Sequence, residues 1–219
     1  MTIKKVPLLF GLFLLITGIP SAAKFYTDWL WFKELGYEAV FLRSLSAQTL
    51  VGAVAGVAVF ALLAGNLVLA LRALRPRPFI INTQQGPQTI MMNPASVRPL
   101  AMGAVGIVSL LVANYAGSQW ETWLYFLNAT PFGKTDPILG HDIGFYVFTL
   151  PLLEMVQGIL YLVIFLMAAI AVAAYVFAED VGLDAVRGVF VSRRAGRHLG
   201  LLAAAALLAL AFGAWLQIP

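Results

Sequence analysis

Five apolar stretches, Val6 to Ala23, Leu45 to Leu71, Leu100 to Ala116, Pro151 to Phe177 and Leu199 to Leu216, set the solvent in which this chain must fold. Each is roughly 17 residues or longer, enough for a helix to cross about 30 Å of hydrocarbon. Only Glu154, in the first turn of the fourth, is charged. Charged residues make up 11% of the chain, against about 25% in soluble domains, so a soluble helical bundle is a poor alternative. The expected fold class is an all-α membrane protein with about five transmembrane helices, a short interfacial outer helix and an amphipathic inner helix. The second and fourth stretches run to 27 residues, about 40 Å as helix, so they must tilt or project beyond the hydrocarbon.

Basic residues pile up on alternate sides. With the N-terminus inside, Lys4, Lys5, Arg72, Arg75, Arg77, Arg98, Arg187, Arg193, Arg194 and Arg197 face the cytoplasm, against Lys24, Lys33, Arg43 and Lys134 outside. Ten against four follows the positive-inside rule. The acids run the other way, with Asp28, Glu34, Glu38, Glu121, Asp136, Asp142 and Glu154 outside and Glu179, Asp180 and Asp184 inside. The two sides carry −3 and +7, together the +4 of the whole chain. Five crossings place the C-terminus outside, in a cell membrane. The basic residues form short juxtamembrane clusters rather than one stripe, which argues for anionic-lipid contacts and against nucleic acid.

Lys4, Lys5, the first apolar run and Ser21-Ala22-Ala23 also have the order of a secretory signal with a cleavage site. The run exceeds the 7–15 apolar residues of a signal core, which favours a retained span, and either reading leaves the remaining topology unchanged. The absence of cysteine excludes disulfides and thiolate metal sites. All five tryptophans, Trp29, Trp31, Trp120, Trp123 and Trp215, fall on the outer side as an aromatic belt. Between the first two spans, Thr27 or Asp28 can cap a short helix carrying Trp29, Leu30, Trp31, Phe32 and Leu35, with Gly36 placed to end it. Such a helix suits interfacial anchoring or the docking of another domain.

Gly52 and Gly56 form a G-x-x-x-G, and Ala113 with Gly117 a weaker small-residue pair; this spacing lets helix backbones approach closely, within one chain or between copies. Asn66 and Asn114 lie toward span ends rather than the midplane, which weakens a proton or ion relay. In the inner segment from Pro76 to Pro99, apolar patches at Phe79–Ile81 and Ile90–Met92 flank a turn at Gln85-Gly86-Pro87, so a hairpin or a disordered loop is expected. From Glu179 to His198, Val181, Ala185, Val189 and Phe190 can share one side of a membrane-surface amphipathic helix.

The outer segment from Gln119 to Leu150 holds the densest polar and aromatic content. It reads Gln119-Trp120-Glu121, Asn128-Ala129-Thr130-Pro131-Phe132-Gly133, Asp136-Pro137 and Gly140-His141-Asp142-Ile143-Gly144-Phe145-Tyr146. Together with Asp28-Trp29-Leu30-Trp31-Phe32, Gly36-Tyr37 and His198-Leu199, the run from Trp120 to Pro151 resembles uncharacterised protein family 0182, bacterial multi-pass membrane proteins of unknown function. The resemblance covers nearly the whole chain and is weakest across Phe79 to Arg98. It implies about seven membrane helices followed by a large extracytoplasmic domain. This chain looks like the first five helices, a fragment or a truncated member, and departs from the pattern at Trp215-Leu216-Gln217-Ile218-Pro219. The family has no established activity, so the resemblance implies architecture and no functional residues.

Glu121, Asp136, His141 and Asp142 form a candidate outer-loop polar cluster of types used in acid–base work or divalent-metal binding. No ligand spacing is met, and turn, cap and ion-pair roles account for the same residues. Asn128-Ala129-Thr130 has the form of a glycosylation sequon, but its closeness to the membrane and the bacterial resemblance argue against use. No catalytic, cofactor or metal residues are assigned. The expected role is the membrane-anchoring and assembly part of an envelope protein; a transporter or lipid-handling permease component is the alternative, and membrane-embedded hydrolysis would require the four polar residues to converge. Expected partners are the lipid bilayer and envelope proteins or an extracytoplasmic domain of the same family.

Overall fold

A computed structural model describes residues 6–75, 77–83, 86–92, 94–184 and 188–218. Expectations attached to Lys4, Lys5, Pro76, Gln85, Ala185, Arg187 and Pro219 lie outside them. In chain order the elements are α1 (Val6–Glu34), α2 (Glu38–Leu71), β1 (Arg77–Thr83), β2 (Gly86–Met92), α3 (Pro94–Ser118), α4 (Trp120–Leu127), a π-helical turn (Phe145–Thr149), α5 (Leu150–Phe177), β3 (Val181–Asp184), β4 (Gly188–Val191) and α6 (Arg193–Leu216). The chain divides into two units, one up to Thr49 and one from Leu50 onward.

In the first unit the aromatic segment after Ala23 is not a separate interfacial helix. It is the continuation of α1, which runs through Pro20 to Glu34. Thr27 does not cap: its hydroxyl donates back to the carbonyls of Ala23 (2.6 Å) and Lys24 (3.0 Å), as within an unbroken helix. Gly36 ends the helix. Its φ of +76° allows Tyr37 N–H to reach Phe32 O (2.8 Å) and Gly36 N–H to reach Lys33 O (3.1 Å), the paired bonds of a Schellman cap. Phe41 of α2 then packs between Phe25 (5.5 Å) and Phe32 (5.4 Å), and Trp29 Nε1 donates to Glu38 (3.1 Å).

The second unit has two apolar cores. Val59, Leu63 and Leu67 of α2 meet Val105 and Val112 of α3 and Val163 of α5. Ala171 and Tyr175 of α5 meet Ala195 and Leu202 of α6. Gly52 and Gly56 of α2 lie against Ser109, Ala113 and Gly117 of α3. A Cβ at Gly52 would stand 2.7 Å from Ala113 O, and one at Gly56 2.7 Å from Ala113 Cβ, a backbone approach that only small residues permit.

Strands β1 and β2 pair antiparallel with Phe79 opposite Ile90, Ile81 opposite Gln88 and Thr83 opposite Gly86, so the hairpin forms. The expected amphipathic inner helix does not. Val181–Asp184 pairs with Gly188–Val191 as a second hairpin, closed by Ser192 N–H to Asp180 O (2.7 Å). Valine and phenylalanine favour strands, two glycines cost a helix about 1 kcal/mol each, and Gly188 has φ +72°. The arginines beyond belong to α6, whose first turn is capped by Ser192 Oγ accepting from Ala195 N–H.

Among the described residues four helices are long and apolar enough to cross a membrane: Glu38–Leu71, Ser96–Ser118, Phe145–Phe177 and Arg193–Leu216. The sequence alone indicates five. The remaining expected stretch, Val6 to Ala23, falls in the N-terminal part of α1, ahead of the charged residues Lys24, Asp28, Lys33 and Glu34 of the same helix.

Candidate functional site

The segment between α4 and the π-helical turn folds around two carboxylates. Asp142 accepts from three backbone N–H groups: Oδ1 from Phe132 (3.0 Å) and Gly144 (2.7 Å), Oδ2 from Gly133 (2.9 Å). Asp136 accepts from Ile138 N–H (2.9 Å) at Oδ1 and from the Tyr146 hydroxyl (2.8 Å) at Oδ2. Backbone bonds from Asp136 N–H to His141 O (2.8 Å) and from Ile143 N–H to Lys134 O (2.9 Å) draw the two limbs together. Gly144 cannot be larger, because a Cβ there would lie 2.8 Å from Thr130 O and 2.9 Å from Asp142 Oδ1.

The π-helical turn presents three rings to this loop. Phe145 stacks on His141 (4.8 Å between centroids), Phe148 stacks on Phe132 (5.8 Å), and Tyr146 reaches Asp136. Pro151 supplies the local cause. It has no N–H for the carbonyl four residues back, and Leu150 N–H instead reaches five residues back to Phe145 O.

Both carboxylates are held below their ordinary 3.8. For Asp136 the causes are the Ile138 N–H, then the Tyr146 hydroxyl. For Asp142 they are the Phe132 N–H, then those of Gly144 and Gly133. A general acid needs its pKa moved upward; these move the other way and act as fixed acceptors. His141 lies by its ring stack, and Glu121 sits in the first turn of α4, exposed. Of the four candidates, Asp136, His141 and Asp142 share one loop. Among the described residues no group of three or more His, Asp or Glu is placed to hold a metal ion.

Next to this loop, Leu139, His141, Phe145, Trp215, Leu216 and Ile218 line a cavity of about 50 Å³, room for a water or two. The C-terminal end of α6 therefore sits beside the 128–144 loop. At the other end of this unit, Arg194 of α6 donates to the Arg72 carbonyl (3.2 Å) and, at 3.5 Å, to Leu69 O, satisfying the open C-terminus of α2.

Polar pairs also join the helices where a sequence reading assigns nothing. Tyr175, 1% exposed, shares a 2.9 Å hydrogen bond with His198 Nδ1, linking α5 to α6. Gln157 donates to the Tyr161 hydroxyl (2.7 Å), and both press against Gly213, where a Cβ would collide with them. The four-residue spacing of Gln157 and Tyr161 on one apolar helix is the signal that could have found them. Asn66, 5% exposed, donates from Nδ2 to Met167 O (3.1 Å), while its buried Oδ1 has no partner among the described residues. Asn114 is exposed.

The family model described as uncharacterised protein family UPF0182 matches residues 5–218. The chain is 36% identical over 218 residues to a UPF0182 protein of Trichlorobacter lovleyi, covering 96% of this chain and 24% of that one. It is 34% identical over 215 residues to one of Geobacter sulfurreducens, covering 94% and 24%, and 35% identical over 206 residues to one of Thermobifida fusca, covering 93% and 20%. The chain thus spans about a quarter or less of the length of these curated relatives. No solved structure matches it.

Proposed function

The chain belongs to the uncharacterised protein family UPF0182, and from that premise we propose that it is the multi-pass membrane-anchoring and assembly part of a bacterial envelope protein, carrying or docking an outward-facing domain. The observation that carries this reading is the commitment of Asp136 and Asp142 to backbone amides and Tyr146. A loop so internally bonded is a rigid platform at the end of a helix bundle, suited to support rather than turnover, and in this reading the chain is not itself an enzyme. The quarter-length match to its relatives leaves most of their mass to be supported.

Charge sets the proposed orientation. Arg72, Arg75, Arg98, Arg193, Arg194 and Arg197 belong to the helix ends and adjoining turns near the two hairpins, and Lys134 is the lone lysine or arginine of the 128–144 loop. The positive-inside rule then puts the hairpins in the cytoplasm and the loop outside.

One observation favours a second reading, a transporter or lipid-handling permease component. The buried Asn66 Oδ1, unpartnered among the described residues, is an acceptor in an apolar interior, which costs free energy unless something donates to it. Mass spectrometry of material purified gently distinguishes the two readings, with the Trichlorobacter lovleyi relative and this chain run in parallel. A protein partner kept only by the longer relative supports anchoring. A stoichiometric lipid or solute kept by both, and lost on Asn66→Leu, supports the permease.

A further inference from the structure

The hairpin between α5 and α6 carries an apolar face whose outer half, at Leu183 and Val189, is exposed among the described residues. Directly opposed residues of an antiparallel pair share a face, and the register sets Val181 opposite Val191 and Leu183 opposite Val189. Four aliphatic side chains therefore line one side. The other side holds Gly182 with the Phe190 ring lying over it.

The aliphatic face has a root and a tip. At the root, Val181 packs on the core made by Ala171, Tyr175, Ala195 and Leu202, and Val191 Cγ1 lies near Gly196 of α6. The face is thus turned toward α5 and α6. At the tip, Leu183 is 84% exposed and Val189 71%, so the same face overhangs beyond the protein on the side where those helices run.

We propose that this overhanging face is an in-plane membrane anchor, seated in the headgroup and upper acyl region of the bilayer that α5 and α6 cross. The occupant follows from position and charge. A segment of 15 residues, 178 to 192, joins two helices that are each long enough to span, so the hairpin is tethered at the membrane surface. Exposed Arg193 opens α6 two residues after β4, exposed Arg197 lies one turn further along it, and both match the phosphates of anionic lipids. Aliphatic residues beside arginines at that depth are the pattern of interfacial segments, which sink about 5–10 Å into the headgroup boundary.

The inference rests on α5 and α6 crossing a bilayer, and its test separates the two ideas. The chain has no cysteine, so Leu183→Cys, Val189→Cys, Phe190→Cys and Leu208→Cys each give a single site for an environment-sensitive fluorophore. The labelled chains are placed in vesicles of phosphatidylcholine and phosphatidylglycerol, with brominated lipid or aqueous iodide as quencher. Loss of emission at positions 183 and 189 with lipids brominated near the top of the acyl chain, protection from iodide there, and iodide quenching at 190 is the expected result. Iodide quenching at 183 and 189 equal to that at 190 overturns the anchor while a lipid-quenched 208 keeps the spanning helices. Protection of 183 and 189 from both quenchers also overturns it, in favour of a protein occupant. A position 208 untouched by brominated lipid overturns the spanning helices and the anchor together.

Discussion

Gly52 of α2 faces Ala113 of α3 so closely that a methyl group on Gly52 would stand 2.7 Å from the Ala113 carbonyl oxygen. Backbone cannot yield as a flexible side chain can, so this contact resists any larger residue. One turn along, Gly56 meets the Ala113 methyl and the Ser109 carbonyl, the latter at 3.3 Å from an added Cβ. Gly52→Ala and Gly56→Leu are expected to lower bundle stability by roughly 1–3 kcal/mol. Gly65→Ala, with nothing within 4 Å, is expected to lose no stability and to gain up to about 1 kcal/mol from the better helix former. Thermal midpoints in one detergent compare the three, and an unchanged midpoint for Gly56→Leu would mean that Gly56 faces lipid.

Asp142 should tie the order of the outer loop to pH. Its carboxyl is depressed below 3.8 by the N–H groups of Phe132, Gly144 and Gly133. A group whose folded pKa is depressed stabilises the fold above the unfolded value, about 3.9, and loses that contribution as pH falls through the folded value. Amide exchange of Phe132, Gly133 and Gly144 is therefore expected to be slow and pH-independent in its protection from neutrality to roughly pH 4, and to lose protection below. Asp142→Asn should lose it at Gly133 at every pH, since the amide oxygen can still accept from Phe132 and Gly144 but the amide nitrogen cannot accept in place of Oδ2. Gly133 protection that survives in the asparagine variant would show that the Oδ2 bond does not hold the loop.

Tyr175→Phe removes the hydroxyl that bonds His198 Nδ1 across α5 and α6. The expected cost is about 0.5–1.5 kcal/mol, the net worth of one such hydrogen bond. A double-mutant cycle with His198→Ala should return a coupling of the same order. Additive single effects would assign the cost to packing alone.

Topology is open to a direct check in a chain free of native cysteine. A cysteine at Lys134 should react with a membrane-impermeant thiol reagent applied to intact cells, and one at Arg75 should react only after the membrane is breached. Reactivity at Arg75 alone in intact cells would invert the orientation.

Particular residues show how far the sequence was legible. Apolar run length is a property of local composition, so the stretches around Leu45–Leu71, Pro151–Phe177 and Leu199–Leu216 lie inside helices α2, α5 and α6. Gly36 was legible as a helix stop because only glycine takes its positive φ without strain. The inner helix was misread because Val181, Ala185 and Val189 recur every four residues, a spacing that also places Val181 and Val189 on one face of a hairpin. In the outer loop, Asp136, His141 and Asp142 were visible by type. That Asp142 would gather three amides was not, because those bonds require the limb from Phe132 to fold back ten residues.

Apolar run length and charge determined the solvent class and the positions of the main apolar helices, and the motifs from Trp120 to Pro151 carried the family resemblance, since each depends on residues adjacent in the chain. The tertiary structure decided which faces meet. It set Gly52 on Ala113, Asn66 on Met167 and Tyr175 on His198, pairs separated by up to 101 residues. Their energies come from close approach between helices, and no local window of sequence records which helix stands beside which.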